Sequence, residues 1–168
     1  MMFIFDSSTL ILITKIELLE VFLGDIALKV LIARAVEDEC CRGKASIDGL
    51  TIRKSVDEGK ITVLGVRSAS QVAKLQIDFS MGRGEAESIA LALQEKARIL
   101  GIDDRNGIQA CKLLGLPFAA AIGILLRSRE KGLIGHVEAL DKFGALARYG
   151  RYKSSIVEDA RNRLEELR

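Results

Sequence analysis

Five short strand-like blocks recur along the chain: FIF at 3–5, KVLI at 29–32, ITVLGV at 61–66, RILGI at 98–102 and PFAAA at 117–121. Between them the apolar positions change period from 2 to 3.6. In GEAESIALALQEKA, Ala86, Ile89, Ala90, Leu93 and Ala97 share one helical face, and Glu87, Gln94 and Glu95 fall elsewhere. Strands alternating with helices predict an α/β fold, a three-layer α/β/α sandwich around a mainly parallel sheet of about five strands. Gly101 and Gly107, and then Gly115-Leu-Pro117, are expected to mark connections. Beyond residue 133 the chain becomes more charged. SSIVEDARNRLEELR reads as a closing amphipathic helix, capped by Ser154 or Ser155, with a narrow stripe of Ile156, Ala160, Leu164 and Leu167. No repeat or low-complexity linker divides the chain, so residues 1–168 are expected to form one domain.

Two of the strands end in acid. FIF runs into Asp6, and RILGI runs into the pair Asp103-Asp104. In an open parallel sheet the crevice beyond the carboxyl ends of the strands is where ligands bind, so these acids fall at the place where chemistry is expected. A helix-cap reading stands beside the functional one for Asp6, because Asp6, Ser7 and Ser8 all precede the apolar run Leu10–Ile13, and the same holds for Asp103. Asp104 would open a helix and be favoured by its dipole. In ARAVEDEC a helix puts Val36 and Cys40 inward, Glu37 and Glu39 on the borders and Asp38 outermost, as the solvated member. In GEAES, Glu85 and Glu87 flank the apolar face from opposite sides, and periodicity does not choose between them. Carboxylates gathered at one sheet edge repel one another unless a cation lies between them, and hard oxygen ligands suit Mg²⁺ or Mn²⁺.

Composition narrows the possibilities. Of 168 residues, 49% are hydrophobic and 29% charged, enough for a real core, and 25 Lys and Arg against 23 Asp and Glu give a formal charge of only +2. Any nucleic-acid footprint must therefore be local. Cys40, Cys41 and Cys111 lack metal-knuckle spacing and leave an odd thiol, which points to a reducing compartment. The start, MMFIFDSSTLILITK, has no basic leader, and the apolar run Leu113–Leu126, interrupted by Gly115, Pro117 and Gly123, is too short for a membrane span. A cytoplasmic protein with no membrane association is expected.

Taken in order, FIFDSSTLI, VEDE, GEAESIALA, LGIDDRNG and LGLPFAAAIGILLRSREKGLI resemble the PIN-domain ribonucleases, a family that includes toxins of prokaryotic toxin–antitoxin pairs. The resemblance covers about residues 2–134 and leaves about 135–168 as a helical extension. It implies metal and catalytic roles for Asp6, Glu39, Glu85 and Asp104, with Asp103 as an accessory ligand. It implies Mg²⁺ or Mn²⁺ as cofactor and RNA as the bound partner, with a small antitoxin protein as a second candidate partner. Two departures stand out. Ala120-Ala121 replaces a Gly-Thr pair, so a polar contact there is expected to be missing, and Ala33 occupies the place of a frequent proline.

The reaction implied is metal-assisted hydrolysis of RNA phosphodiester bonds by an endoribonuclease, the four carboxylates holding one or two ions at separations that permit a shared cation. The single His136 lies outside the motifs and is expected to have a structural or surface role. Ser7 and Ser8 are expected to orient Asp6, touch substrate or cap locally, and Arg105 to meet a phosphate or pair with a carboxylate. MGRGEAE lacks the lysine of a phosphate loop and reads as a turn into the Glu85 helix. Arg127, Arg129 and Lys131 either track an RNA backbone or lie on a solvated face. A homodimer is expected from apolar faces near residues 10–23 and along the closing stripe, with packing of those faces within the chain as the equal alternative. Two alternatives remain: a PIN scaffold that binds RNA or protein without cleaving, and a Mg-dependent phosphoacceptor domain. The second lacks the acidic pair after the first strand and the lysine after the fifth that it would need.

Overall fold

A computed structural model describes residues 1–42 and 46–167. The elements in chain order are β1 (Met2–Phe5), α1 (Ser7–Lys15), α2 (Leu19–Asp25), β2 (Lys29–Ala33), α3 (Arg34–Cys41), α4 (Ile47–Asp57), β3 (Ile61–Leu64), α5 (Ala69–Phe79), α6 (Arg83–Glu95), β4 (Ile99–Gly101), α7 (Arg105–Leu114), β5 (Phe118–Ala119), α8 (Ala121–Glu130), α9 (His136–Tyr149) and α10 (Ser154–Glu166). Every strand pairing is parallel and the sheet order is β3-β2-β1-β4-β5. All five expected strands are present, and helices cover both faces of the sheet in the expected three-layer α/β/α sandwich.

Parallel strands covered on both faces need apolar residues on both. Phe3, Ile4, Phe5, Leu31 and Ile32 are accordingly buried without alternation. Helix α6 lies against β1, β2 and β4 with α5 and α7 beside it, while α1 gathers α2, α4, α8 and α9 in the second layer. Being central, α6 buries Glu87, Ser88, Leu91 and Ala92 as well as the expected Ala86, Ile89 and Ala90.

The chain winds outward from β1 to β2 and β3, then returns to β4 and β5 on the other side, so the switch point lies between β1 and β4. The Asp6 N–H donates to the Gly101 carbonyl at 2.9 Å, holding the carboxyl ends of those two strands together.

Several local expectations are corrected. Gly101 and Gly107 do not mark connections: one lies in β4, the other in α7. A Cβ on Gly101 would stand 2.7 Å from the Phe5 ring, and one on Gly107 2.2 Å from Ile102, so both are small to admit a neighbour. Gly115 does end α7, in a left-handed conformation at φ 67°. Neither Ser154 nor Ser155 caps α10, whose cap position is Lys153 and lacks a side-chain bond. Its stripe is turned by one residue at the start: Ala160 and Leu164 are buried and Val157 packs on the core, leaving Ile156 44% exposed. The faces invoked for a dimer are largely covered within the chain, with Leu10, Ile13, Leu18, Leu19, Ala160 and Leu164 all buried. Among the described residues no helix is long and apolar enough to cross a membrane.

Candidate active site

Because every strand is parallel and is followed by a helix, the helix N-termini crowd the same sheet edge as the strand carboxyl ends. Each N-terminus carries unpaired N–H groups and a partial positive charge. Six acids answer them. Asp6 accepts from the Thr9 N–H at 2.9 Å and caps α1. Asp104 accepts from Asn106 and Gly107 at 2.7 and 3.1 Å and caps α7. Glu85 accepts from Gly82 at 2.8 Å, and Glu39 from Gly84 at 3.2 Å, both at the start of α6. Glu87 reaches the Ala35 N–H of α3 at 3.0 Å, and Asp103 the Ala121 N–H of α8 at 2.8 Å.

The cap reading and the site reading of these acids are thus compatible. Ala33 and Ala120 stand at cap positions without a side-chain oxygen, and Glu87 and Asp103 cap those helices from elsewhere in the chain. At Ala120-Ala121 the contact made is the backbone one, from the Ala121 N–H to Asp103, and neither alanine adds a side-chain polar group.

Asp6 is completely buried. Its second oxygen accepts from the Ser8 hydroxyl at 2.7 Å. Burial, opposed by these hydrogen bonds and reinforced weakly by Asp103, pushes its pKa up to about 7. Ser7 does not orient Asp6; its hydroxyl donates to Glu39 at 2.5 Å. Glu85 is half-buried, and desolvation, with Asp104 and Glu39 nearby, raises its pKa. Thr9 links the two strand ends, its N–H on Asp6 and its hydroxyl on Asp103 at 2.7 Å.

The structure separates the acid pairs that periodicity left open. Glu87 is buried and ion-paired to Arg83 at 2.8 Å, whereas Glu85 faces a cleft of about 520 Å³ shared with Asp103, Asp104 and Arg105. Asp104 places both bonds on Oδ1, while Asp103 uses both oxygens, the second accepting from the Tyr152 hydroxyl. Exposure does not set Asp38 apart as the solvated member, since Glu39 is the more open of the two; Asp38 instead pairs with Arg42 at 3.0 Å.

Arg105 is exposed at the cleft rim. Arg127, Arg129 and Lys131 are not near it. Helix α8 leaves the acidic edge and ends beside Asp25, where Lys131 pairs with that carboxylate, Arg127 with Glu130, and Arg129 donates to the Leu167 carbonyl. His136 follows at the start of α9 with its Nδ1 buried and unbonded.

Among the described residues none of Asp6, Glu39, Glu85, Asp103 and Asp104 forms an ion pair, although Asp25, Asp38, Glu87 and Glu130 do. Their neutralisation comes from backbone N–H groups and hydroxyls. A hard divalent cation fits that donor set. The expected separations are corrected: among the described residues no three of these side chains stand close enough to share one ion, because each is turned to its own cap.

The sequence reading missed Thr9, Gly84 and Tyr152. The D-x-x-T spacing of a cap could have signalled Thr9; Tyr152, 49 residues from Asp103, left no local trace.

The profile of a family described as a PIN domain matches residues 2–166. The match runs through α9 and α10, beyond the extent read from the motifs. No curated protein matches the chain.

Proposed function

Since the chain belongs to the PIN-domain family, whose members are generally nucleases that typically use divalent metals, we propose that it is a Mg²⁺- or Mn²⁺-dependent endoribonuclease. The observation that carries this reading is the set of carboxylates that, among the described residues, have no basic partner at the switch point between β1 and β4. Asp6, Glu39, Glu85 and Asp104 would hold one or two ions, which would supply a water of lowered pKa and offset charge on the phosphate.

The chain's own contributions follow from its hydrogen bonds. Ser8 and the Thr9 N–H fix the Asp6 carboxylate, whose proton must leave before it can act as a ligand near neutral pH. Ser7 and the Gly84 N–H hold Glu39 over the start of α6. Asp103 braces the site through Thr9, the α8 terminus and Tyr152, which is why it is read as an accessory. Arg105, exposed at the rim, would meet a phosphate.

The test is cleavage of a circular single-stranded RNA by the purified chain in Mn²⁺. Linearisation that EDTA abolishes is expected; intact circles with metal bound would overturn the reading. The spread of the carboxylates favours one rival, a scaffold that binds RNA without cutting it, and that same outcome would support it. A toxin role adds a small antitoxin partner, which would have to cover the cleft and suppress cleavage in a mixing assay.

A further inference from the structure

Beyond the acids, the cleft has a second wall, supplied by the segment between α9 and α10. Tyr149, the last residue of α9, is 54% exposed and lines the cleft together with Arg151, Lys15 and Arg105, facing Glu85 and Asp104. The Lys15 ammonium lies 5.2 Å from the centre of the Tyr149 ring. Among the described residues, Lys15, Arg105 and Arg151 make no ion pair, even with the carboxylates sharing the cleft, whereas Arg127, Lys131 and Arg163 at the far end of the molecule are all paired. The segment is fixed. The Tyr152 hydroxyl is anchored on Asp103, and Gly150 lets that ring fold back, since a Cβ there would lie 2.2 Å from it.

An exposed ring flanked by unpaired cations beside unpaired acids matches a ligand that repeats phosphates and planar rings. Resting on the ribonuclease reading, we propose that the Tyr149–Arg151 segment is the substrate-positioning wall of the site. An unpaired RNA base stacks on Tyr149, Arg151 and Lys15 hold the phosphate beside it, and Arg105 holds the next one across the acids. A duplex has no free base face to offer that ring, so the wall engages unpaired nucleotides.

The experiment measures binding of a fluorescent single-stranded oligoribonucleotide in EDTA, and kcat and KM for its cleavage in Mn²⁺. The proteins are wild type, Tyr149→Ala, Tyr149→Phe and Arg151→Gln, with thermal unfolding as the folding control. Tyr149→Ala is expected to weaken binding and raise KM by about 5- to 10-fold, with kcat falling far less, and Tyr149→Phe to restore both. Arg151→Gln is expected to flatten the slope of log K against log salt by about 0.7, the loss of one single-strand phosphate contact. Unchanged KM and binding in both Tyr149→Ala and Arg151→Gln, with wild type cleaving, would overturn the wall and leave the nuclease standing. Wild type that binds through Tyr149 but never cleaves would overturn the nuclease and leave the wall. Equal binding of a duplex would overturn the stacking of an unpaired base on Tyr149.

Discussion

Gly84→Ala separates the Glu39 position from the fold that carries it. Gly84 is the second residue of α6, and a Cβ there would stand 2.5 Å from both Glu39 carboxylate oxygens. No side chain can remain at that distance, and the flexible, solvent-exposed Glu39 is the group that yields. Its bonds from the Gly84 N–H and the Ser7 hydroxyl would go with it. Alanine in a helix gains roughly 0.5–1 kcal/mol over glycine, and each lost bond costs about 0.5–1.5 kcal/mol, less where water replaces the partner. Two lost bonds outweigh the gain by no more than about 2.5 kcal/mol, a shift of no more than about 10 °C in a domain of this size. Displacing a metal ligand should lower Mn²⁺ affinity and cleavage by about 10- to 100-fold. Calorimetric titration with Mn²⁺ and cleavage of single-stranded RNA, beside thermal unfolding, read the three quantities. Wild-type Mn²⁺ affinity and cleavage in a folded Gly84→Ala protein would show that Glu39 in this position is not a ligand.

Asp6 gives a pH signature. Its folded pKa, about 7, is raised above the ordinary carboxylate value, so from about pH 4 to about pH 7 the folded state keeps a proton that the unfolded chain has lost; metal-free stability should fall across that window by up to about 1.4 kcal/mol per pH unit relative to Asp6→Asn, and Mn²⁺ should reverse the trend by taking the proton's place. Urea midpoints in EDTA that rise over that window, relative to the variant, would refute this. Asp104→Asn keeps an equally good helix cap and should unfold like wild type while cleaving about 100-fold more slowly, whereas Asp103→Ala should cost about 1–3 kcal/mol by unpairing the Ala121 N–H. The reverse pattern in parallel melts and assays would exchange their roles. Burial and the neighbouring Asp103 raise the Tyr152 phenol, which therefore donates at every assay pH, and Tyr152→Phe should lose about 1 kcal/mol in denaturant titration and cleave severalfold more slowly. An unchanged rate would confine Tyr152 to a structural role.

The strands were legible because a sheet buried on both faces leaves continuous apolar runs, and the acids at two strand ends were legible because a parallel sheet has one edge for chemistry. The helices were harder. Period marks one face, but α6 is enclosed by α3, α5 and α7, so Glu87 is buried where the pattern left it level with Glu85. The choice between them lies in Arg83 and the Ala35 N–H, partners that no local pattern names. The stripe of α10 slipped from Ile156 to Val157 because both fit the spacing and only the packing on the core decides. Gly101 and Gly107 looked like turns, yet their reason is the ring of Phe5 and the side chain of Ile102. Tyr152 and Arg151 were invisible as site residues because the return of α9 to the acidic edge is a tertiary fact.

That six acids also close helix N-termini bears on how this edge responds to mutagenesis. An alanine scan would change two things at once at nearly every position, the charge offered to a cation and the cap on a helix, and inactive variants would include unfolded ones. Asparagine and glutamine keep the acceptor oxygen and remove only the charge. The same coupling limits drift: a chain that lost its catalytic role would still be held to Asp, Asn, Glu or Gln here by folding alone, so a preserved set of polar residues at this edge is weaker testimony to activity than the loss of formal charge is to its absence.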